Sequence, residues 1–224
     1  MFGPLERWFS YSGRRRLLDR DLDTMRGHII GHVLEVGAGS VGRRGRFIPP
    51  SENVLTWTYV DLHSGKRPTV AADVQALPLQ DRSFDTVVCL EVLEYVRDPH
   101  RAFLEMARVL RTGGNLLVST PFLHRFDTDH DYWRFSKHAL RYLASTAGLE
   151  TKQVLQQGHA LASMGAILKN LVAGVRHTWA RRLLGLTIWL PVTVLNGMDA
   201  PLQGRPRISR TFSTGYLVRA IRIS

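Results

Sequence analysis

Three glycines and one carboxylate form the segment of this sequence best suited to bind a reactive ligand. Gly37, Gly39 and Gly42 follow a G-x-G-x-x-G spacing behind a short apolar run, and Glu35 stands two residues before the first glycine. A glycine turn of this kind lets a ligand approach the backbone closely, as it does at dinucleotide-binding sites. A carboxylate at position 35 can accept hydrogen bonds from an ammonium group, but it would lie poorly beside a pyrophosphate. The pattern therefore favours a ligand with an amino acid group over a nicotinamide dinucleotide.

The elements around this turn alternate between strand and helix. Short runs rich in apolar and β-branched residues predict strands at 32–36, 55–60, 84–90 and 115–120. Between the last two, Asp98 and Pro99 suit the N-cap and first position of a helix that we expect Gly113 and Gly114 to terminate. Such βαβ units predict an α/β fold with a doubly wound, mostly parallel sheet.

The remaining segments complete this arrangement. Spacing predicts a helix at 136–147, strands at 150–156 and 214–223, and a lead-in helix within residues 1–30. The lead-in helix gathers apolar residues on one face, namely Leu17, Leu18, Leu22 and Met25. We expect one main domain at 31–224, with residues 159–210 forming a basic, apolar helical insertion before the last strand.

From Val33 to Phe122 the chain resembles the class I S-adenosylmethionine (SAM)-dependent methyltransferase family, in its small-molecule, type 11-like branch. The resemblance rests on the order of the following segments: Glu35-Val36-Gly37-Ala38-Gly39, Asp61, Asp73-Val74, Ala76-Leu77-Pro78-Leu79, Ser83-Phe84-Asp85-Thr86-Val87-Val88 and Glu91-Val92-Leu93-Glu94-Tyr95-Val96. It implies a Rossmann-like sheet of seven strands and SAM as cofactor. Tyr95 stands where many members carry histidine, so an acid–base role is not carried over to that position.

The resemblance also implies roles for individual residues. Gly37, Ala38 and Gly39 would approach the methionine part of SAM, which Glu35 would anchor. Asp61 would take the ribose hydroxyls, a role that a bidentate carboxylate suits. The cofactor-binding set implied in this way is Glu35, Gly37, Ala38, Gly39, Asp61, Leu62, Asp73, Val74 and Glu91.

The segment from Asp127 to Ser136 follows the predicted strand at 115–120, on the side of the sheet where open α/β folds bind ligands. His130 is the candidate base for the proton of a hydroxyl or amine acceptor, with Asp131 orienting it, because histidine titrates near neutral pH. Tyr132 and Trp133 could stack on the acceptor, and Arg134 could hold an anionic group. A structural latch that caps the next helix is the alternative interpretation of this segment.

Composition adds weaker expectations. The net charge of the 224-residue chain is +11, which suits an anionic partner or a solvated arginine-rich surface. The insertion could be a lid, core, or a peripheral contact with an anionic membrane, since tryptophan and arginine suit each role. Its longest apolar run is short for a membrane span, and Pro191 should break or kink it. With one cysteine, Cys89, and no secretory signal, a cytoplasmic location is expected, and a peripheral position at the inner face of the membrane is the alternative.

Three functional hypotheses follow. The first is methyl transfer from SAM to an oxygen or nitrogen of a small-molecule, sugar or lipid-linked acceptor, with no metal required. The second is a SAM-binding partner or membrane-associated scaffold without catalysis, and the third is a nicotinamide-dependent oxidoreductase, which Glu35 and Asp73 disfavour. Nucleic acid is not the expected partner. The branch of the family that methylates DNA adenine or protein glutamine amides is disfavoured, because no Asn-Pro-Pro-Tyr-like tetrapeptide follows the strand at 84–90. The oligomeric state is left open.

Overall fold

The computed structural model describes residue 8 and residues 11–39, 46–126, 128–199 and 212–223. Its seven strands are β1 (Gly31–Val36), β2 (Val54–Asp61), β3 (Val70–Ala71), β4 (Phe84–Leu90), β5 (Leu110–Pro121), β6 (Leu149–Gln157) and β7 (Gly215–Arg222). Its helices are α1 (Gly13–Met25), α2 (Pro99–Val109), α3 (Lys137–Thr146), α4 (Ala160–Ala173) and α5 (Thr178–Asp199). Predicted features at Gly42, Asp127 and 200–210 lie outside the described residues.

The strands form a single sheet in the order β3-β2-β1-β4-β5-β7-β6. Strands β1 to β5 pair in parallel, and β7 runs antiparallel to both of its neighbours. The strand order reverses at β1, with β2 on one side and β4 on the other. In open α/β sheets the ligand crevice lies outside the carboxyl ends of the strands at this point. The predicted doubly wound, mostly parallel fold is confirmed.

Two apolar cores cover the two faces of the sheet. Helices α2 and α3 pack on one face through side chains such as Phe103, Met106 and Leu140. Helix α1 packs on the other face through Leu18 and Leu22, which have no exposed surface. Cys89 is fully buried in the first core, where burial raises the pKa of its thiol. The cores hold the carboxyl edge of the sheet in place from both sides.

One prediction about a helix end is wrong. Helix α2 begins as expected, with the Asp98 carboxylate accepting a hydrogen bond from the Arg101 N–H, but it ends at Val109. Gly113 and Gly114 lie inside β5, because the chain passes directly from helix into strand at Leu110.

Helix α5 continues through Pro191 to Asp199. Proline removes one helical hydrogen bond, and the exposed position of Pro191 leaves water to solvate the freed carbonyl.

Helices α4 and α5 form a hairpin between β6 and β7. The Asp199 carboxylate, at the end of α5, accepts hydrogen bonds from the backbone N–H groups of His159 (2.8 Å) and Ala162 (3.0 Å) at the start of α4. Only Gly185, Val192 and Asp199 of α5 are buried. Within the described residues, no helix is both long and apolar enough to span a bilayer.

Candidate cofactor and acceptor site

The glycine turn begins where β1 ends. Gly37 has φ = +67°, and a Cβ added to it would lie 2.2 Å from Cγ2 of Val92. The N–H groups of Gly37 and Ala38 both donate to the carbonyl of Val60, at 2.8 and 3.2 Å. Only glycine combines this left-handed backbone with such a close approach. The turn therefore brings its backbone close to Val92, in the segment that follows β4, at the edge of the crevice.

Asp61 fastens the end of β2 to this turn. Its carboxylate is buried and accepts hydrogen bonds from the N–H of Gly39 at 2.8 Å and from the N–H of His63 at 2.9 Å. Leu62, the next residue, is 65% exposed and offers an apolar surface beside it. The structure thus brings together the predicted residues at the ends of β1 and β2.

Glu35 lies deeper than the turn. It is 5% exposed, and its Oε2 accepts a hydrogen bond of 2.8 Å from Nε1 of Trp57 on β2. This contact ties the two neighbouring strands together. The anchoring of the methionine part by Glu35 stays a prediction.

Asp73 and Val74 follow β3. Both carboxylate oxygens of Asp73 accept hydrogen bonds from the side chain of Gln75, at 3.1 and 2.9 Å. The Oε1 of Gln75 in turn accepts from the N–H of Asp98 at 2.9 Å. Val74 is a core residue with 5% exposure. Asp73 is therefore held in place by its neighbours, and its part in cofactor binding stays a prediction.

Glu91, directly after β4, makes a contact that sequence reasoning missed. It has φ = +59°; Oε1 accepts a hydrogen bond of 2.8 Å from Ser119 Oγ, and Oε2 forms an ion pair with Arg14 Nη2. Arg14 comes from the first turn of α1. The sequence offered only the run Arg14-Arg15-Arg16, which is typical of a solvated surface.

Glu94 is a second residue that sequence reasoning missed. It is 2% exposed, and burial together with the nearby charge of Glu91 raises its pKa to about 8. Its Oε2 is buried without a hydrogen-bond partner among the described residues. A carboxyl in such surroundings holds its proton near neutral pH.

The predicted acceptor segment is attached to this region through the carbonyl of Glu94. That carbonyl accepts hydrogen bonds from the N–H groups of Tyr132 at 2.8 Å and Trp133 at 3.3 Å. The indole N–H of Trp133 donates to the carbonyl of Val96 at 2.8 Å. Both aromatic rings are 42% exposed, so they are anchored at one end and open to a ligand at the other.

Within this segment the polar side chains form two local pairs. Asp131 and Arg134 form a bidentate ion pair, in which Nη2 donates to Oδ2 at 2.7 Å. His130 is exposed, and its Nδ1 lies 3.2 Å from the hydroxyl of Tyr132. The structure therefore places the five predicted residues from His130 to Arg134 together. Asp131 contacts Arg134 through the ion pair, and His130 contacts the hydroxyl of Tyr132.

A cavity of about 290 Å³ opens beside the end of β5. It is lined mainly by apolar groups of the loop after β5 and of α4, namely Leu123, His124, Arg125, Ala166, Ile167, Asn170 and Leu171. A larger cavity of about 540 Å³ lies at the opposite edge of the sheet, next to Leu149 and Ile223. The smaller one is on the same edge as the glycine turn and is the relevant one for a ligand.

Comparison with known proteins gives one family and several relatives. The family described as a methyltransferase domain matches residues 34–118. A probable S-adenosylmethionine-dependent methyltransferase of Mycobacterium tuberculosis strain H37Rv is 45% identical over 60 residues, covering 27% of this chain and 22% of that protein. The ubiquinone biosynthesis O-methyltransferase of Xanthomonas oryzae pv. oryzae is 32% identical over 100 residues, covering 39% of this chain and 42% of that protein.

A solved structure supports the fold over most of the chain. The crystal structure of a putative methyltransferase from Bacillus halodurans aligns with a TM-score of 0.59 and 16% identity, covering 92% of this chain and 99% of that one. By contrast, the chain spans 22% to 42% of the length of the two curated relatives. The sequence matches and the seven-stranded sheet agree: residues 34–118 match the methyltransferase domain family, this part of the chain is similar in sequence to SAM-dependent methyltransferases, and most of the chain is similar in fold to a methyltransferase.

Proposed function

We propose that this chain transfers the methyl group of SAM to an oxygen or nitrogen atom of a small-molecule acceptor. The observation that carries the proposal is the convergence of three strand ends at the sheet's switch point. There Gly37 and Glu91, both with positive φ, follow β1 and β4, and the buried Asp61 ends β2. Ligands of open α/β sheets bind at such a point.

The residues present fit SAM. A Cβ built at Gly39 would meet no atom of the described residues within 4 Å, so the turn leaves open space for a ligand there, and Asp61 offers carboxylate oxygens to a vicinal diol. SAM supplies an electrophilic methyl group on a sulfonium. The chain's own task is to hold the acceptor in line with that methyl group and to exclude water, which positioning and desolvation achieve without a covalent intermediate.

On the acceptor side, we assign His130 as the base that receives the acceptor's proton. Its exposed imidazole stands next to Tyr132, whose ring is anchored through the backbone at Glu94. Asp131 and Arg134, paired with each other, fix the shape of the segment, and Trp133 provides a face for stacking. A relative named for O-methylation in ubiquinone biosynthesis supports an oxygen acceptor.

We also propose that the acceptor is apolar or lipid-linked. Leu123, Ile167 and Leu171 line the cavity at the acceptor edge, and α5 exposes a run of large apolar side chains. These are Trp179, Leu183, Leu184, Leu186, Trp189, Leu190, Val194 and Met198. A helix that exposes many large apolar side chains is suited to bind apolar partners, and the adjacent Arg181 and Arg182 suit anionic lipid headgroups.

The activity is tested by incubating the purified protein with radiolabelled SAM and a panel of hydroxyl- and amine-bearing acceptors, from water-soluble to lipid-linked. Label transfer to an oxygen or nitrogen supports the proposal. Calorimetry with SAM and with NAD tests the cofactor directly. Heat of binding with NAD and none with SAM would overturn the assignment of SAM as the cofactor. SAM binding without transfer to any acceptor favours the non-catalytic partner.

Membrane contact is tested separately by flotation with vesicles that contain or lack anionic lipid. We expect flotation with anionic vesicles and its loss in a Trp179→Ser, Trp189→Ser double variant. A matched Tyr142→Ser variant changes an exposed aromatic residue of α3, away from the hairpin, and should float like the wild type. Absence of flotation by the wild-type protein overturns the membrane part of the proposal and leaves the activity to its own test.

A further inference from the structure

The guanidinium of Arg14 is buried beside the cofactor crevice with hydrogen-bonding capacity left over. Its side chain is 13% exposed, and Nη2 forms the ion pair with Glu91 Oε2. Its Nε and Nη1 atoms are buried and have no hydrogen-bond partner in the described part of the chain. Buried donors without acceptors are costly, so a protein keeps them where a ligand supplies the acceptor.

The position of Arg14 indicates which ligand group that is. Glu91 immediately precedes Val92, and the Val92 side chain lies against the α-carbon of Gly37. The guanidinium therefore lies at the carboxyl end of β4, on the side of the crevice that faces the glycine turn. This is the end at which the amino acid part of SAM is expected.

We propose that Arg14 binds the carboxylate of the amino acid part of SAM, while Glu91 faces its ammonium group. The inference rests on the proposed function. An α-amino acid carries one negative and one positive group a few bonds apart, and the Arg14–Glu91 pair presents the complementary charges. A planar guanidinium forms two parallel hydrogen bonds with a carboxylate through an edge made of Nη2 and either Nε or Nη1. Nε and Nη1 have no partner among the described residues, and Nη2 carries two N–H groups, so one edge is available for the carboxylate while Nη2 also holds Glu91.

Helix α1 holds this guanidinium in position. The Ser12 hydroxyl caps the helix by accepting a hydrogen bond from the N–H of Arg15 at 3.0 Å, and Leu18 is fully buried one turn beyond Arg14. Asp19 accepts hydrogen bonds from the Tyr11 hydroxyl and from the N–H of Arg46, which follows the glycine turn. The lead-in helix therefore contributes to the cofactor site, and a preorganised guanidinium loses little freedom on binding.

Two ligands that differ only in the amino acid part separate this inference from a general effect on the site. S-adenosylhomocysteine carries the carboxylate and the ammonium, and 5′-methylthioadenosine carries neither. By calorimetry, Arg14→Met should weaken S-adenosylhomocysteine binding by about tenfold or more and leave methylthioadenosine binding within about twofold. Arg20→Met, an exposed position of the same helix, is the matched control and should change neither.

Arg14→Met leaves Glu91 buried without its cation, so a second variant guards against misfolding. Arg14→Lys keeps the charge but lacks the fork, and it should lose affinity only for S-adenosylhomocysteine, by less than Arg14→Met does. Equal losses for both ligands, or no loss for either, would overturn the role of Arg14 while the cofactor assignment stands. A wild-type protein that binds neither ligand would overturn the proposed function itself.

Discussion

The buried carboxylate of Asp61 accepts a hydrogen bond of 2.8 Å from the backbone N–H of Gly39. Asp61 ends β2, and Gly39 belongs to the turn after β1, so one contact joins two segments that are 22 residues apart in the chain. The other carboxylate oxygen accepts from the N–H of His63. The turn and the acidic strand end therefore form one structural unit. A substitution in either should weaken binding of the same ligand.

Asp61→Ala should weaken SAM binding by about tenfold or more, because the variant loses both the acceptor for the ribose hydroxyls and the tie to Gly39. Calorimetry with SAM measures the loss. Asp23→Ala removes an exposed carboxylate of α1 that pairs with Arg26, and it should leave SAM affinity unchanged. Full SAM affinity in Asp61→Ala would contradict the assignment of Asp61 to the cofactor.

Gly37→Ala should impair both stability and SAM binding, because the new methyl group would lie 2.2 Å from Val92 Cγ2 in a backbone with φ = +67°. Gly39→Ala shares the positive φ but meets no atom within 4 Å, so it should cost only about 1 kcal/mol of unfolding free energy. Urea unfolding of both variants measures the difference. Adding Val92→Ala to Gly37→Ala should recover part of the loss, and no recovery would argue against the steric cause.

Local patterns predicted most of the fold because most elements follow from nearby residues. The apolar runs located six strands, and the N-cap Asp98 located the start of α2. The strand β3 has only Val70 and Ala71, which is too short to leave a periodic pattern. The predicted end of α2 was wrong because Gly113 and Gly114 lie within β5 and do not terminate the helix.

The site was only partly predictable for a different reason. Asp61 and the glycine turn could be recognised because each lies where a strand ends. The contact between Arg14 and Glu91 joins two residues far apart in the sequence, and an arginine within a basic run shows no sign of burial. The raised pKa of Glu94 likewise depends on the burial that packing creates and on the charge of Glu91. Such features follow from tertiary packing, and one sequence does not encode them in a local pattern.

Glu94 should make stability depend on pH. Its pKa in the folded protein is about 8, against 4.5 for an ordinary glutamate, so the folded state binds the proton more tightly than the unfolded state. Its contribution to stability is full below about pH 4.5 and falls as the pH rises towards about 8. Glu94→Gln, which is neutral throughout, should match the wild type at about pH 5 and be more stable at about pH 9.

Urea unfolding at several pH values provides the measurement. Glu105→Gln is a control of opposite sign, because hydrogen bonds from Arg108 hold the pKa of Glu105 below its usual range. That variant should lose stability at neutral pH, where the wild-type carboxylate is charged and paired. A Glu94→Gln protein that parallels the wild type from pH 5 to pH 9 would show that Glu94 is charged in the folded state.

His130→Ala should retain SAM affinity and slow turnover, by roughly a hundredfold or more if the imidazole receives the acceptor's proton. The exposed ring contacts the Tyr132 hydroxyl, and its removal leaves the turn at Gly37 and the Asp61 carboxylate unchanged. His138→Ala, at an exposed position of α3, is the matched control and should keep full activity. His124 lines the cavity beside α4 and is the competing base. If His124→Ala abolishes turnover while His130→Ala does not, His124 receives the acceptor's proton, and the segment at 130–134 is a structural latch.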